Sequence, residues 1–180
     1  MKDFNAAISI NSRNDEDYNR RGNAYYAQGK YKEAIEDYSQ AIELKPNNET
    51  YYSNRGMAYN KLKDYENAIK DFNAAISINS RNDEDYNCRG NAYYAQGKYK
   101  KAIADFSRAI ELDPNNANYY NNRGLAFYNQ GSYKEALCNY NKAIELSPEN
   151  EIYRRNKAKI SFAHLLLLNI EKENNRCIMM

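Results

Sequence analysis

A repeat of 34 residues is the feature that most restricts how this chain can fold. The dipeptide Arg-Gly recurs with that spacing at residues 21–22, 55–56, 89–90 and 123–124. With the glycine at the eighth position of each unit, the four complete units are residues 15–48, 49–82, 83–116 and 117–150. A period of this length is typical of stacked supersecondary units, each of which buries its outer apolar face against the next.

Each unit carries two apolar stripes with the spacing of an amphipathic helix. In the first unit, Tyr18, Gly22 and Tyr25 lie on one stripe, and the second runs from Tyr31 to Ile42. The small residue at position 8 and the alanine at position 20 predict a close approach of the two helices, with the aromatic residue at position 24 filling the space beside them. The predicted fold class is therefore all-α, an array of antiparallel helix pairs. The first helices are predicted to end at the glycines Gly29, Gly97 and Gly131.

The full pattern resembles the tetratricopeptide repeat. The shared features are glycine at position 8, aromatic residues at 11 and 24, alanine at 20 and 27, and proline at 32 in three units. Two departures recur, because tyrosine replaces the family's tryptophan at position 4 and arginine replaces leucine at position 7. The resemblance covers residues 15–150. It implies a right-handed superhelical solenoid, and a non-enzymatic scaffold or adaptor that binds a peptide or helix of another protein in its concave groove.

The segments outside the four units are predicted from the same pattern. Residues 1–14 match the second helix of a partial repeat, residues 151–172 are predicted to form a capping helix, and residues 173–180 a flexible tail. The segment Lys2–Lys32 matches Lys70–Lys100 except that Arg20 is replaced by Cys88. This offset of two repeats indicates that the array grew by copying a pair of units.

The resemblance also implies which side chains face a ligand, namely positions 2, 5, 9, 12 and 13 of each first helix. These positions and the adjoining position 6 are rich in amides and tyrosines. The predicted groove residues are Asn19, Asn23, Tyr26, Asn54, Asn87, Asn91, Tyr94, Asn121, Asn122 and Tyr128. Because an amide both donates and accepts, we expect an extended peptide to be held through its main chain by the position-5 asparagines, with the tyrosines as anchors. The alternative is that these amides only keep the groove soluble.

Some family members clamp the acidic C-terminal tail of heat-shock chaperones with two asparagines and three cations. The matching positions here are Asn19, Asn23, Asn54, Glu84 and Cys88. One unit later they are Ser53, Met57, Cys88, Asn118 and Asn122. The cations are absent from both sets, and a glutamate would repel a carboxylate. The sequence therefore argues against binding of such a tail.

Arginine at position 7 of every unit has two interpretations. It could form a basic ladder for a ligand, or it could pair with the aspartate at position 23 within or between units. Position 23 holds Asp37, Asp71, Asp105 and Asn139. Pairing is favoured, because a solvated cation at the groove edge would contribute little to binding.

Charge and motifs argue against other function classes. The 26 basic and 24 acidic residues give a net charge of +2, with no basic stripe, so an RNA-binding helical repeat is the lesser alternative. The single histidine, His164, has no partner at metal-ligand spacing, and no phosphate-binding loop or nucleophile motif is present. We therefore predict no cofactor, no metal and no enzymatic activity.

The cysteines and the C-terminus bear on location and membrane contact. Three widely spaced cysteines and an N-terminus without an apolar run favour free thiols in the cytoplasm. The last four residues, beginning at Cys177, fit a farnesylation motif, so the second hypothesis is an adaptor tethered to a membrane only if it is prenylated. The apolar run 165–168 could itself serve homodimerisation through the C-terminal helix or contact with a membrane.

Overall fold

The computed structural model describes Ile8 and residues 12–160, in which every regular element is a helix. The helices are α1 (Asp15–Ala27), α2 (Tyr31–Leu44), α3 (Glu49–Lys61), α4 (Tyr65–Ile78), α5 (Asp83–Ala95), α6 (Tyr99–Leu112), α7 (Ala117–Gln130) and α8 (Tyr133–Leu146). Helix α9 covers 151–160. The predicted all-α fold of paired helices is confirmed. Most of the predicted partial repeat at 1–14, residues 161–172 of the predicted capping helix, and the predicted tail lie outside the described residues.

The helices form two compact units. The first contains the three hairpins α1–α2, α3–α4 and α5–α6, and the second contains the hairpin α7–α8 with α9. In the first unit, α2 packs on α3 and α4 packs on α5, so that successive hairpins stack and the first helices α1, α3 and α5 are brought side by side.

An asparagine series with the repeat period begins the first helices. The side chains of Asn14, Asn48, Asn82 and Asn116 each accept a hydrogen bond of 3.1 Å from the backbone N–H two residues later. Asn150 caps α9 in the same way at 3.0 Å. Each bond satisfies a backbone donor that the helix itself cannot pair. Helix capping therefore accounts for these five asparagines, a role that was not predicted although their 34-residue spacing is visible in the sequence.

The predicted close approach at position 8 is confirmed in every hairpin. A Cβ atom placed on Gly90 would lie 2.7 Å from Cε1 of Phe106, and one on Gly56 would lie 3.0 Å from Cε1 of Phe72. The rings at position 24 and the alanines at position 20 are almost fully buried. Glycine is required here because the ring of the second helix occupies the space of any side chain.

The arginine at position 7 is a structural residue in the first unit. Arg21 and Asp37 form two parallel hydrogen bonds of 2.6 and 2.8 Å, and Arg55–Asp71 and Arg89–Asp105 repeat this geometry. These pairs lie within one hairpin. The remaining nitrogen, Nη1, reaches the preceding hairpin: that of Arg55 donates to Ser39 Oγ (2.9 Å) and that of Arg89 to Asn73 Oδ1 (2.7 Å). The predicted pairing is therefore present within each hairpin of the first unit, and a hydrogen bond from the guanidinium to an uncharged side chain links Arg55 and Arg89 to the preceding hairpin.

The two departures from the family pattern contact each other. Each position-7 guanidinium lies 5.5–5.9 Å from the ring centroid of the position-4 tyrosine, within the range of a cation–π interaction. Tyrosine at position 4 and arginine at position 7 therefore form one packing unit, and they are present together in all four repeats.

In the second unit, α9 covers the hairpin α7–α8. Tyr153 donates to Asn118 Oδ1 at 2.7 Å, and Ile160 packs with Ala136 and Tyr140. The hairpin itself differs from the others at position 23, where Asn139 Oδ1 accepts from Arg123 Nε at 2.8 Å in place of a carboxylate.

Candidate functional site

The predicted groove residues occur in both units, and the first unit holds most of them. An open cavity of about 450 Å³ lies across α1, α3 and α5. It is lined by Tyr26, Met57, Asn60, Lys61, Tyr65, Cys88, Asn91, Tyr94 and Ala95, and we call it the aromatic cavity. Three predicted residues, Tyr26, Asn91 and Tyr94, are thus brought to one place by helices from the first and third repeats.

The two tyrosines of the aromatic cavity are held in position by their own hairpins. The ring centroid of Tyr26 lies 5.3 Å from that of Tyr31 in an edge-on contact, and Tyr94 lies 5.6 Å from Tyr99. Burial, followed by the neighbouring Tyr31, raises the pKa of Tyr26, so its hydroxyl remains protonated and can donate to a ligand. Rings fixed in this way lose little conformational entropy when a partner binds.

Asn91 is the predicted groove amide with the most freedom to meet a ligand. It is exposed at the aromatic cavity, and its side chain has no hydrogen-bond partner among the described residues. The equivalent Asn23 accepts a 2.8 Å bond from the hydroxyl of Tyr38. Position 24 of the third repeat is Phe106, which has no hydroxyl, and Asn91 is left available.

The other predicted amides of the first unit contact one another. Asn54 Nδ2 donates to Asn19 Oδ1 at 2.9 Å and approaches Asn23 Oδ1 at 3.3 Å, so the three link α1 to α3. Asn87 is half-buried on α5. Their part in holding a peptide main chain stays a prediction, and the first three would have to exchange these bonds for bonds to the peptide.

The same amide pair recurs in the second unit. Asn156 Nδ2 donates to Asn121 Oδ1 at 2.9 Å, and Asn121 Nδ2 lies 3.4 Å from Asn122 Oδ1. Asn121 is only 7% exposed, which leaves little of its side chain for a ligand. Tyr128 contacts Tyr133 edge-on at 5.5 Å, as Tyr26 does its own neighbour.

A second cavity, of about 160 Å³, adjoins the aromatic cavity. It is lined by Thr50, Ser53, Asn54, Met57, Asn82, Glu84, Asp85 and Cys88, and we call it the acidic cavity. Met57 and Cys88 line both cavities. Of these residues, only Asn54 was predicted from the sequence to belong to the site. Asp85 was not predicted, because position 3 of the repeat is not a groove position in the family pattern.

Asp85 is the most unusual side chain of this region. It is 2% exposed, and its Oδ2 atom has no hydrogen-bond partner among the described residues. Burial raises the pKa of Asp85 to about 6, with Glu49 and Glu84 acting in the same direction and the Ser53 hydroxyl and the Arg89 charge offsetting part of the shift. A buried carboxylate oxygen without a partner is costly, which makes it a candidate for contact with a ligand.

The cysteines of the described residues are free thiols. Cys88 is half-buried between the two cavities, and burial raises its pKa to about 12, so it is a packing residue and not a nucleophile. Cys138 is exposed. Cys177, the predicted lipidation site, and the run 165–168 lie outside the described residues.

Helix length and the placement of acidic side chains bear on membrane and metal binding in the part of the chain that the structure describes. None of the helices within residues 12–160 has the length and apolar character needed to cross a membrane. Over the same residues, His, Cys, Asp and Glu side chains nowhere converge closely enough to hold a metal ion.

Several known structures share this arrangement of helices. MamA is 25% identical, with a TM-score of 0.78 over 81% of this chain and 85% of that one. The Arabidopsis OM64 TPR domain is 33% identical over 62% of this chain and 93% of that one, with a TM-score of 0.61. The first TPR of Spaghetti (RPAP3), bound to the HSP90 peptide SRMEEVD, is 33% identical over 66% and 86%, with a TM-score of 0.55. Among curated protein sequences, nothing matches the chain.

Family models give the same result from the sequence. A model described as TPR repeat matches residues 22–63 and 90–131, and the tetratricopeptide repeat model matches residues 50–82 and 117–150. Together these matches span most of the helices described above. The chain belongs to the tetratricopeptide repeat family.

Proposed function

We propose that the chain is a non-enzymatic scaffold that holds a segment of another protein against the first unit, with Tyr26, Asn91 and Tyr94 as the principal contacts. The aromatic cavity carries this proposal, because it combines two preformed tyrosine rings with an amide that has no partner among the described residues. Amphipathic rings and a backbone-matching amide suit a peptide, whose side chains and main chain would both be recognised.

The family supports the general class of function. Proteins built from this repeat are generally non-catalytic scaffolds, and the related Spaghetti (RPAP3) domain is bound to a peptide. The acidic tail itself suits the present chain poorly, since Glu84 and Asp85 stand beside the proposed peptide path. A cytoplasmic location and a membrane tether at Cys177 remain predictions from the sequence alone.

Peptide selection on the purified chain tests the proposal. A random peptide library is panned on the immobilised full chain, and the selected peptides are measured in solution by fluorescence anisotropy. We expect Tyr94→Ala and Asn91→Ala to weaken binding, with Tyr94→Ala costing about tenfold or more because an aromatic anchor is lost.

The matched control is Tyr120→Ala, which removes a tyrosine ring of the second unit that lies outside the predicted groove residues. It should leave binding unchanged, and circular dichroism should show all variants to be folded. The proposed site would be contradicted if the selected peptides bound equally well to Tyr94→Ala, Asn91→Ala and the control. Salt-sensitive binding of RNA without any peptide binding would favour the alternative function.

A further inference from the structure

We propose that the first unit recognises a peptide in which a basic side chain adjoins an apolar one, the basic side chain entering the acidic cavity and the apolar one the aromatic cavity. The inference rests on the proposed function and specifies its ligand. The two cavities share Met57 and Cys88 as a common wall, so neighbouring side chains of one peptide can occupy both.

The unpartnered oxygen of Asp85 is the first observation. Asp85 is 98% buried, since its exposed fraction is 2%, and it lines the acidic cavity with Oδ2 unpaired within the described residues. Glu84 lines the same cavity, and Glu49 lies close enough to affect the ionisation of Asp85. A cation in the cavity would supply the missing partner and offset three neighbouring negative charges.

The comparison of α5 with the nearly identical helix α1 is the second observation. In α1, which has the sequence of α5 apart from one residue, Arg20 Nη2 contacts Glu16 Oε1 at 2.7 Å. In α5 the arginine is replaced by Cys88, and Glu84, the equivalent of Glu16, has no ion-pair partner within residues 12–160. The exchange of arginine for Cys88 removes the side-chain cation that pairs with this glutamate in α1, and Glu84 lines the acidic cavity without that partner. A guanidinium or ammonium group from a peptide replaces it there.

The surroundings select an organic cation and its orientation. The acidic side chains of the described residues do not converge in a way that would hold a metal ion. Lys61 lines the aromatic cavity and not the acidic one, so a basic side chain is repelled from the first and attracted to the second. The peptide therefore has one favoured direction in the groove.

Synthetic peptides test this inference on the full chain. The probes share one sequence with a phenylalanine two residues from a variable residue, because side chains at that spacing share one face of an extended peptide. The variable residue is arginine, lysine, glutamine or glutamate. Fluorescence anisotropy is expected to show the arginine and lysine peptides binding about tenfold or more tightly than the glutamine peptide, and the glutamate peptide most weakly. Equal binding of the basic and glutamine peptides would overturn the inference.

Two variants of α5 have matched controls in α1. Asp85→Asn and Cys88→Arg should each reduce the preference for the basic peptides by about tenfold, the second because its own guanidinium occupies the cavity and pairs with Glu84. Asp17→Asn and Arg20→Cys make the corresponding changes in α1 and should leave the preference intact. Loss of the preference in the controls as well would contradict the assignment to the acidic cavity.

The pH dependence separates recognition from a purely structural role. Among the groups that affect Asp85, Glu49 and Glu84 are acidic and Arg89 is basic. Because a protonated Asp85 cannot pair with a cation, binding of the basic peptides should weaken between about pH 7.5 and about pH 5, whereas binding of the glutamine peptide should change little. If the unaltered chain binds all four peptides equally and Tyr94→Ala abolishes that binding, the proposed function is retained and the basic preference is overturned. If no peptide binds, both are overturned.

Discussion

Helices α1 and α5 have the same sequence apart from Arg20 and Cys88, yet they present different chemistry. Asp17 is half-buried and accepts a 2.7 Å bond from the amide of Asn14, whereas the equivalent Asp85 is buried with one oxygen unpaired among the described residues. Asn23 is bound by a tyrosine hydroxyl, whereas Asn91 is not. The comparison shows that a copied repeat acquires a site through its neighbours and through a single substitution, while its own helix is almost unchanged.

The ion pair between arginine and aspartate, which the first and third repeats share, should give the largest loss of stability when it is removed. Replacing Asp105 by alanine leaves the Arg89 guanidinium without its buried carboxylate and is expected to cost about 3 kcal/mol in the free energy of unfolding, measured by urea denaturation. Asp37→Ala should cost a similar amount. As a control, Asn73→Ala removes only the bond between hairpins and should cost about 1 kcal/mol or less. A large difference between the Asp37 and Asp105 variants would show that the two hairpins are not equivalent in their cores.

Replacement of Asp85 should increase stability, whereas replacement of the equivalent Asp17 in the first repeat should not. Its pKa is raised to about 6 in the folded protein, so the folded state holds the proton more tightly than the unfolded chain, and stability falls as pH rises from about 4 to about 6. Asp85→Asn removes this penalty and should stabilise the protein by up to about 2 kcal/mol at about pH 8, with no gain near pH 4. Asp17→Asn should show no such gain. A thermal or urea unfolding series across pH measures both; destabilisation by Asp85→Asn at high pH would mean that Oδ2 has a partner in solution.

The turn between α3 and α4, in the repeat that lies between the two copied ones, is strained. Gly29 and Gly97 adopt positive φ angles of 75° and 72°, and the equivalent residue of the second hairpin is Lys63, with φ of 62°. A non-glycine residue in this conformation is unfavourable, so Lys63→Gly should raise stability by about 1 kcal/mol, while Gly97→Ala should lower it by a similar amount. The urea midpoint of unfolding is measured for both variants, and it is expected to rise for Lys63→Gly and to fall for Gly97→Ala. A shift in the same direction for both variants would contradict the prediction.

Making α1 identical to α5 should have the smallest effect. Arg20→Cys removes an exposed ion pair between residues one helical turn apart, so the expected loss is about 0.5 kcal/mol or less and should shrink further in salt. Denaturation at low and high salt measures this change. A loss well above that value would show that Arg20 contributes more than a surface pair.

The features that depend on the repeat itself could be predicted from the sequence. The contact between Gly90 and Phe106, and the pairing of Arg89 with Asp105, follow from residues that recur at fixed positions and meet within one hairpin. Asp85 could not be recognised in this way. Its burial depends on which residue of α3 packs over it, and the same aspartate in α1 has a different environment.

The asparagines illustrate why residue type alone does not assign a site. Asn82 caps a helix, Asn54 bonds to Asn19 across two helices, and Asn91 has no partner among the described residues. Asn82 has an equivalent in every repeat, and Asn54 and Asn91 have one in every second repeat, so periodicity alone does not assign the three roles. Only the hydrogen-bond geometry does.

The tyrosine or phenylalanine at position 24 has a consequence beyond packing. Its ring lies in the core of the hairpin, but its hydroxyl decides whether the amide on the other helix is bound internally, as at Tyr38 and Asn23, or is offered to a ligand, as at Phe106 and Asn91. One oxygen atom inside the protein thus determines the chemistry of its outer surface. Binding preference in such an array can therefore change through the interior, with every surface residue preserved.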